Sequence, residues 1–272
     1  VRAMDPTLIP VPNVMPGYWR MPEATAEAFD DEGFYRTGDA ARWIDPAHPQ
    51  RGLLSPVDFL PFIDGSDLEK PLGEWVIRTA LAQAAAWDLQ GQTLSVSVNI
   101  SAAHLLEPDF YDNLKSLLEQ YGPTSATHLE LEVLETAALS DMDLAVAVLQ
   151  SCRELGVKFA LDDFGTGYSS LTYLRKLPVD LLKIDQSFVL NMLSNAEDMG
   201  IVEGVIRLAM AFNRQVIAEG VETLEHGAAL LRLGCHLAQG YGIARPMAAD
   251  QLPAWLATWQ QQQAWVGLNA RA

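Results

Sequence analysis

The stretch Lys158-Phe-Ala-Leu-Asp-Asp-Phe-Gly-Thr-Gly-Tyr-Ser-Ser-Leu-Thr-Tyr-Leu-Arg-Lys-Leu-Pro-Val-Asp-Leu-Leu-Lys-Ile184 decides the fold. Lys158–Leu161 reads as a strand, and Asp162, Asp163 and the glycines at 165 and 167 make a break after it. Ser169–Lys176 reads as a short helix, and Val179–Ile184 as a second strand. A strand, a helix and a strand so closely spaced form a βαβ unit, which joins parallel neighbours.

Working outward, the same alternation continues on both sides. Upstream, Leu72–Trp87 has a helical pattern that ends near Gly91, Leu94–Ile100 alternates as a strand, and His104–Tyr121 is helical up to Gly122-Pro123. His128–Val133 is the next strand. Ser140 then caps a helix whose Leu144, Val148, Leu149, Cys152 and Leu155 share one face, and Gly156 stops it. Downstream come a helix over 197–212, a strand at Gln215–Ala218, a helix at Leu224–Leu233, a short strand at His236–Ala238 and a helix at Ala249–Gln262. Six strand–helix units therefore lie between residues 94 and 262, which predicts an α/β fold with a parallel sheet. A closed (β/α)₈ barrel needs two more strands, and only residues 1–60 can supply them. The first fifty residues, rich in Pro6, Pro10, Pro12 and Pro16, show no sustained period before Gly33.

Composition narrows the function. The chain has 272 residues, 49% of them hydrophobic, so it can hold a core without disulfides. Its 18 Lys+Arg against 35 Asp+Glu leave a net charge of −17, which disfavours a nucleic-acid polymer as partner. Cys152 and Cys235 fit neither a disulfide framework nor a metal-binding CxxC, and read as buried thiols in a reducing compartment. No run is apolar enough to span a bilayer, so the expectation is a cytoplasmic chain or a cytoplasmic piece of a larger signalling protein.

Polar residues interrupt all six strands at the same place, their C-terminal ends: Asn99, Glu132, Asp162 with Asp163, Lys183, Glu219 and Gln239. In a parallel barrel these ends share one rim, where active sites of the fold lie. Any one of these residues has an ordinary structural explanation; polar residues converging from six strand ends do not. Crowded carboxylates repel one another, and an all-oxygen set without His or Cys suits Mg²⁺ or Mn²⁺ rather than zinc. Asp162 and Asp163 are adjacent, so both serve one site only if the strand ends between them. The Gly-x-Gly after them is no dinucleotide fingerprint, because Ser170 stands at the third glycine position.

Seven segments in order — LLSPVDFLPF from Leu53, SVNIS from Ser97, LELEVLE from Leu129, LDDFGTGYSSL from Leu161, LLKIDQSF from Leu181, VIAEGVET from Val216 and QGYGIARPM from Gln239 — resemble the EAL domain, a bacterial family of cyclic di-GMP phosphodiesterases. The resemblance spans about residues 49–262 and implies a modified TIM-type (β/α)₈ barrel. It implies hydrolysis of one phosphodiester of cyclic di-GMP to linear pGpG with Mg²⁺ or Mn²⁺, and inhibition by Ca²⁺. By the same resemblance Asn99, Glu132, Asp162 and Asp163 hold metal, Lys183 holds the attacking water, and Glu219 is a base or organises the metal site. Gln239, Arg42 and Arg245 are site residues toward the substrate. Glu135 fixes the loop after the DDFG strand, and that loop implies a homodimer.

The N-terminus departs from the pattern. Arg42-Trp43 matches the end of the family's Glu-Ala-Leu-x-Arg-Trp strand, but the positions before it are Gly38, Asp39 and Ala40 in one register, with Ala41 at the glutamate in the other. No glutamate stands in either, which leaves Asp39 as a substitute ligand. Gly17–Asp45 instead resembles the YRTGD region of adenylate-forming acyl-CoA synthetases, without that family's phosphate loop. The expected organisation is a foreign segment over 1–52 and a barrel domain over 53–272, with the first barrel strand or strands replaced or missing. Two functions stay open: a phosphodiesterase weakened by the lost glutamate, or a degenerate receptor that binds cyclic di-GMP or a protein without cleaving it. A missing strand also predicts an open or partner-completed barrel edge.

Overall fold

The computed structural model describes residues 56–134, 141–166 and 171–259. They divide into two compact units with the boundary between Thr79 and Ala80. The first holds α1 (Pro56–Ile63) and the start of α2 (Glu69–Asp88). Asp39, Arg42, Glu135 and Gly167 lie outside the described residues, as does Ser140.

The second unit is a βα series. Its elements are β1 (Val96–Ile100), α3 (Ala102–Leu105), α4 (Phe110–Tyr121), β2 (Leu129–Leu134), α5 (Met142–Glu154), β3 (Lys158–Phe164) and α6 (Leu171–Lys176). There follow β4 (Leu181–Ile184), α7 (Gln186–Asn191), α8 (Ala196–Ala211), β5 (Gln215–Ala218), α9 (Leu224–Leu233), β6 (Leu237–Ala238) and α10 (Leu252–Trp259). The six strands form one parallel sheet in the order β1-β2-β3-β4-β5-β6. Strand order follows chain order without reversal, as in a barrel and unlike a doubly wound sheet. Among the described residues β1 and β6 each have one neighbour.

Register separates the two faces. Asn99 is paired with Glu132, Glu132 with Ala160, Ala160 with Leu181, and Lys183 with Ile217, which puts these residues on one face. The opposite face carries Val98, Leu131, Val133, Phe159, Leu161, Leu182, Ile184, Val216 and Ala218, all buried. Each large apolar side chain there contributes about 1.5–3 kcal/mol by leaving water. The apolar layer thus fixes which face the polar residues occupy.

Several details differ from the sequence expectations. The helix expected over His104–Tyr121 is two helices, because Pro108 between them lacks the backbone donor a continuous helix needs. Helix α5 is capped by Asp141, whose side chain accepts from the Leu144 backbone N–H at 3.1 Å, so Asp141 rather than Ser140 starts it. Its buried face is Ala145, Leu149 and Cys152, while Leu144 is exposed, one position round the helix from the expected stripe. Helix α7 was not expected at all. It is a short turn of chain capped by Asp185.

Asp180 ties the lower ends of three strands together. Its carboxylate accepts from the Phe159 N–H at 3.0 Å and from Arg153 at 2.7 Å. Its own N–H donates to Phe159 O at 2.8 Å, and its carbonyl accepts from Gln215 N–H at 3.0 Å. Arg214 adds a bond from its guanidinium to Leu177 O at 3.0 Å and a second to Val179 O.

Candidate active site

Lys183, on β4, is the centre of the site. Its ammonium lies 2.7 Å from Glu132 Oε2, 2.9 Å from Asp162 Oδ1 and 2.8 Å from Glu219 Oε1. Strands β2 and β3 and the residue after β5 supply the three carboxylates, so four consecutive strands converge as the strand-end pattern predicts. An ammonium has three N–H donors, and each finds one carboxylate. Lys183 is 4% exposed, Glu132 6% and Asp162 8%. Lysine and acidic side chains reach such burial only when paired.

Burial alone would lower the Lys183 pKa, yet the hydrogen bonds to Glu132, Glu219 and Asp162 outweigh it and hold the ammonium above its ordinary range. For Glu132, burial is the larger effect and raises the carboxyl despite the bond to Lys183. Three carboxylates against one ammonium leave the cluster with excess negative charge.

Asp163 joins this cluster through a feature the sequence expectation did not contain. Strand β3 does not end between the two aspartates; it runs on to Phe164. Leu161 pairs with Leu182 and Phe164 with Ile184, so β3 carries one extra residue opposite β4. This bulge, with Asp163 at φ 52°, cancels the alternation and turns both carboxylates to one side. The Asp163 N–H donates to Asp162 Oδ1 at 3.1 Å. Oxygens of Asp162, Asp163 and Glu219 lie within 4.8 Å of one another. Burial, the charges of Asp162 and Asp185, and a hydrogen bond with Asp185 push the Asp163 carboxyl up to about 6. Asp185 is thus a neighbour that sequence reasoning missed. Its signal was the acidic residue directly after β4 at the start of a helix: it accepts from the Ser187 N–H at 3.0 Å.

Asn99 lies in register with Glu132 on the same face, but its side chain is exposed and outside the Lys183 cluster. Gln239 follows β6 and is exposed; its backbone bridges Ala218 O at 2.8 Å and Val221 N at 3.0 Å. Arg245 is exposed and stacks 4.8 Å over the Tyr241 ring. Two glycines set the geometry of these loops. Gly220, at φ 72°, follows Glu219, and a Cβ there would meet Gln186 Cβ at 2.8 Å. Gly242 lies so close to the Glu222 backbone that a Cβ would overlap it. The donor set suits a hard divalent cation: three carboxylates, two of them partly open, with no His or Cys grouped with them among the described residues.

The model of the EAL domain matches residues 41–246. A cyclic di-GMP phosphodiesterase of Pseudomonas aeruginosa is 40% identical over 215 residues, 79% of this chain and 36% of that protein. The cyclic di-GMP phosphodiesterase PdeR of Escherichia coli is 38% identical over 218 residues, 79% of this chain and 32% of its own length. The chain spans about a third of the length of these curated relatives. Among solved structures, a MucR phosphodiesterase in complex with c-di-GMP superposes with a TM-score of 0.72 at 38% identity, covering 75% of this chain and 83% of that one. The Klebsiella pneumoniae BlrP1 calcium and cyclic di-GMP complex gives 0.63 at 31%, covering 72% and 49%.

Proposed function

Because the chain belongs to the EAL domain family, we propose that it binds cyclic di-GMP and hydrolyses one of its phosphodiesters to linear pGpG with Mg²⁺ or Mn²⁺. The observation that carries this is the convergence of Glu132, Asp162, Asp163, Lys183 and Glu219 on one strand-end cluster. Asp162, Asp163 and Glu219 would hold a divalent cation, with Asn99 and Glu132 as further oxygen donors on the same face. Bound there, it would neutralise the diester and stabilise the charge that develops in its displacement. Lys183 orients the attacking water, and Glu219 takes its proton. Gln239 and Arg245, with the Tyr241 face beneath Arg245, meet the guanine and phosphate groups; the family resemblance adds Glu135 as a loop-organising residue and Arg42 as a substrate residue, both outside the described residues. Ca²⁺, larger and less demanding in geometry, would be held by the same oxygens without supporting turnover, as the family resemblance implies.

The organisation proposed is a foreign segment over residues 1–52, with Asp39 in place of the family's glutamate, followed by the barrel domain. No described helix is long and apolar enough to cross a membrane, and a cytoplasmic site of action fits two buried thiols. For the homodimer proposed through the loop after β3, the supporting observation is an exposed apolar residue beside Gly165, Ile201.

The test is binding in Ca²⁺ followed by exchange into Mn²⁺, with chromatography for the linear product. Binding followed by product is the expected result. Binding without product in Mn²⁺ overturns the enzyme and establishes the second reading, a receptor, which the absence of glutamate at Gly38 and Ala41 favours.

A further inference from the structure

Three observations about Lys183 belong together. Its ammonium places all its donors on carboxylates, and at 4% exposure it has almost no water to turn to. Two of those carboxylates, Asp162 and Glu219, also belong to the oxygen trio that suits a divalent cation. The remaining acid of the trio, Asp163, is not among the ion-pair partners of Lys183. The cluster is therefore already organised around a positive charge, and that charge is part of the chain.

We infer that Lys183 is a resident counter-ion that competes with the divalent cation for Asp162 and Glu219, so that metal binding requires its ammonium to leave both. The inference rests on the metal-dependent reading of the site. A Mg²⁺ ion sits about 2.0–2.1 Å from its oxygen ligands, while the ammonium is 2.9 Å and 2.8 Å from oxygens of the same two carboxylates. Two cations sharing these oxygens in a partly buried cluster repel each other with little screening. Lysine can yield, because its charge sits on a flexible four-carbon stem. The arrangement gives the metal-free chain an ordered site and weakens its hold on metal.

The test compares the whole chain with Lys183→Met, which keeps an unbranched stem and removes the charge. Mn²⁺ binding is measured by calorimetry, and melting is followed with and without a chelator. The metal-free variant melts lower than the parent, gains more from Mn²⁺, and binds it on the order of tenfold more tightly, the ratio expected for losing one nearby like charge. Equal or weaker Mn²⁺ binding by the variant, with the parent binding normally, overturns the inference alone. A parent that binds no Mn²⁺ overturns both the inference and the metal-dependent reading. Should the variant not fold, a crystal structure of the Mn²⁺-loaded parent decides: Lys183 beyond hydrogen-bond reach of Asp162 and Glu219 supports displacement, and retained contacts overturn it.

Discussion

Asp163 shows what a single residue does in this site and what the sequence can tell of it. The adjacent acids at 162 and 163 are conspicuous, and the need for a local break between them follows from strand alternation. The device used, a bulge with Asp163 at φ 52° inside a continuing strand, depends on pairing with β4 and so is written in two segments at once. Asp185 was harder to see, since its role comes from facing Asp163 rather than from any spacing. A titration consequence follows. Asp163 is raised to about 6 in the folded chain, against about 3.9 when unfolded. The folded state therefore binds more protons between those values, and its stability falls as pH rises through that window. In chelator, Asp163→Asn should remove this loss, so the stability difference between variant and parent grows from about pH 4 to about pH 6 and then levels. A difference that stays flat across the window contradicts the assignment. Glu219→Gln, by removing the proposed base and one carboxylate of the cation site, should lower turnover by about 10²–10⁴-fold and weaken cyclic di-GMP binding in Ca²⁺ as well.

Among the elements, the middle of the sheet is the most legible part. Gln215–Ala218 and Leu224–Leu233 have the expected bounds, because an apolar run and a capped amphipathic helix are each flanked by clear stops. Helix α5 is less so: Leu144 fits a helical stripe in sequence, but it is exposed and Ala145, one position on, is the buried residue. Asp180 carried no sequence signal, as its value lies in joining strands through backbone groups. Asp180→Ala leaves the Phe159 N–H and Arg153 without that acceptor and should cost about 1–3 kcal/mol in denaturant unfolding. A loss within experimental error would show that water replaces it. Gly242→Ala should shift the loop bearing Tyr241 and Arg245 away from Glu222, weakening cyclic di-GMP binding more than it weakens Mn²⁺ binding. Equal losses would place the damage in the metal site instead.

For the molecule as a whole, acidity and fold are connected through the site: part of the −17 net charge is the cluster around Lys183. Barrel class was legible from strand–helix alternation and from acids recurring at the same strand end, and structures of EAL domains share it. How β1 and β6 are completed lies outside the described residues. Integrity of the unit can be followed through its thiols. Burial pushes Cys152 up to about 12 and Cys235 up to about 11, so neither should react with an aromatic disulfide reagent at about pH 8 until the chain unfolds. Stoichiometric labelling of the folded chain would contradict the packing. The central claim, metal-dependent hydrolysis, is tested most directly by incubating the chain with cyclic di-GMP and Mn²⁺ in ¹⁸O-labelled water and weighing the product. The account predicts linear pGpG carrying one ¹⁸O on its terminal phosphate, and none formed in chelator; intact cyclic di-GMP after prolonged incubation with Mn²⁺ would contradict it.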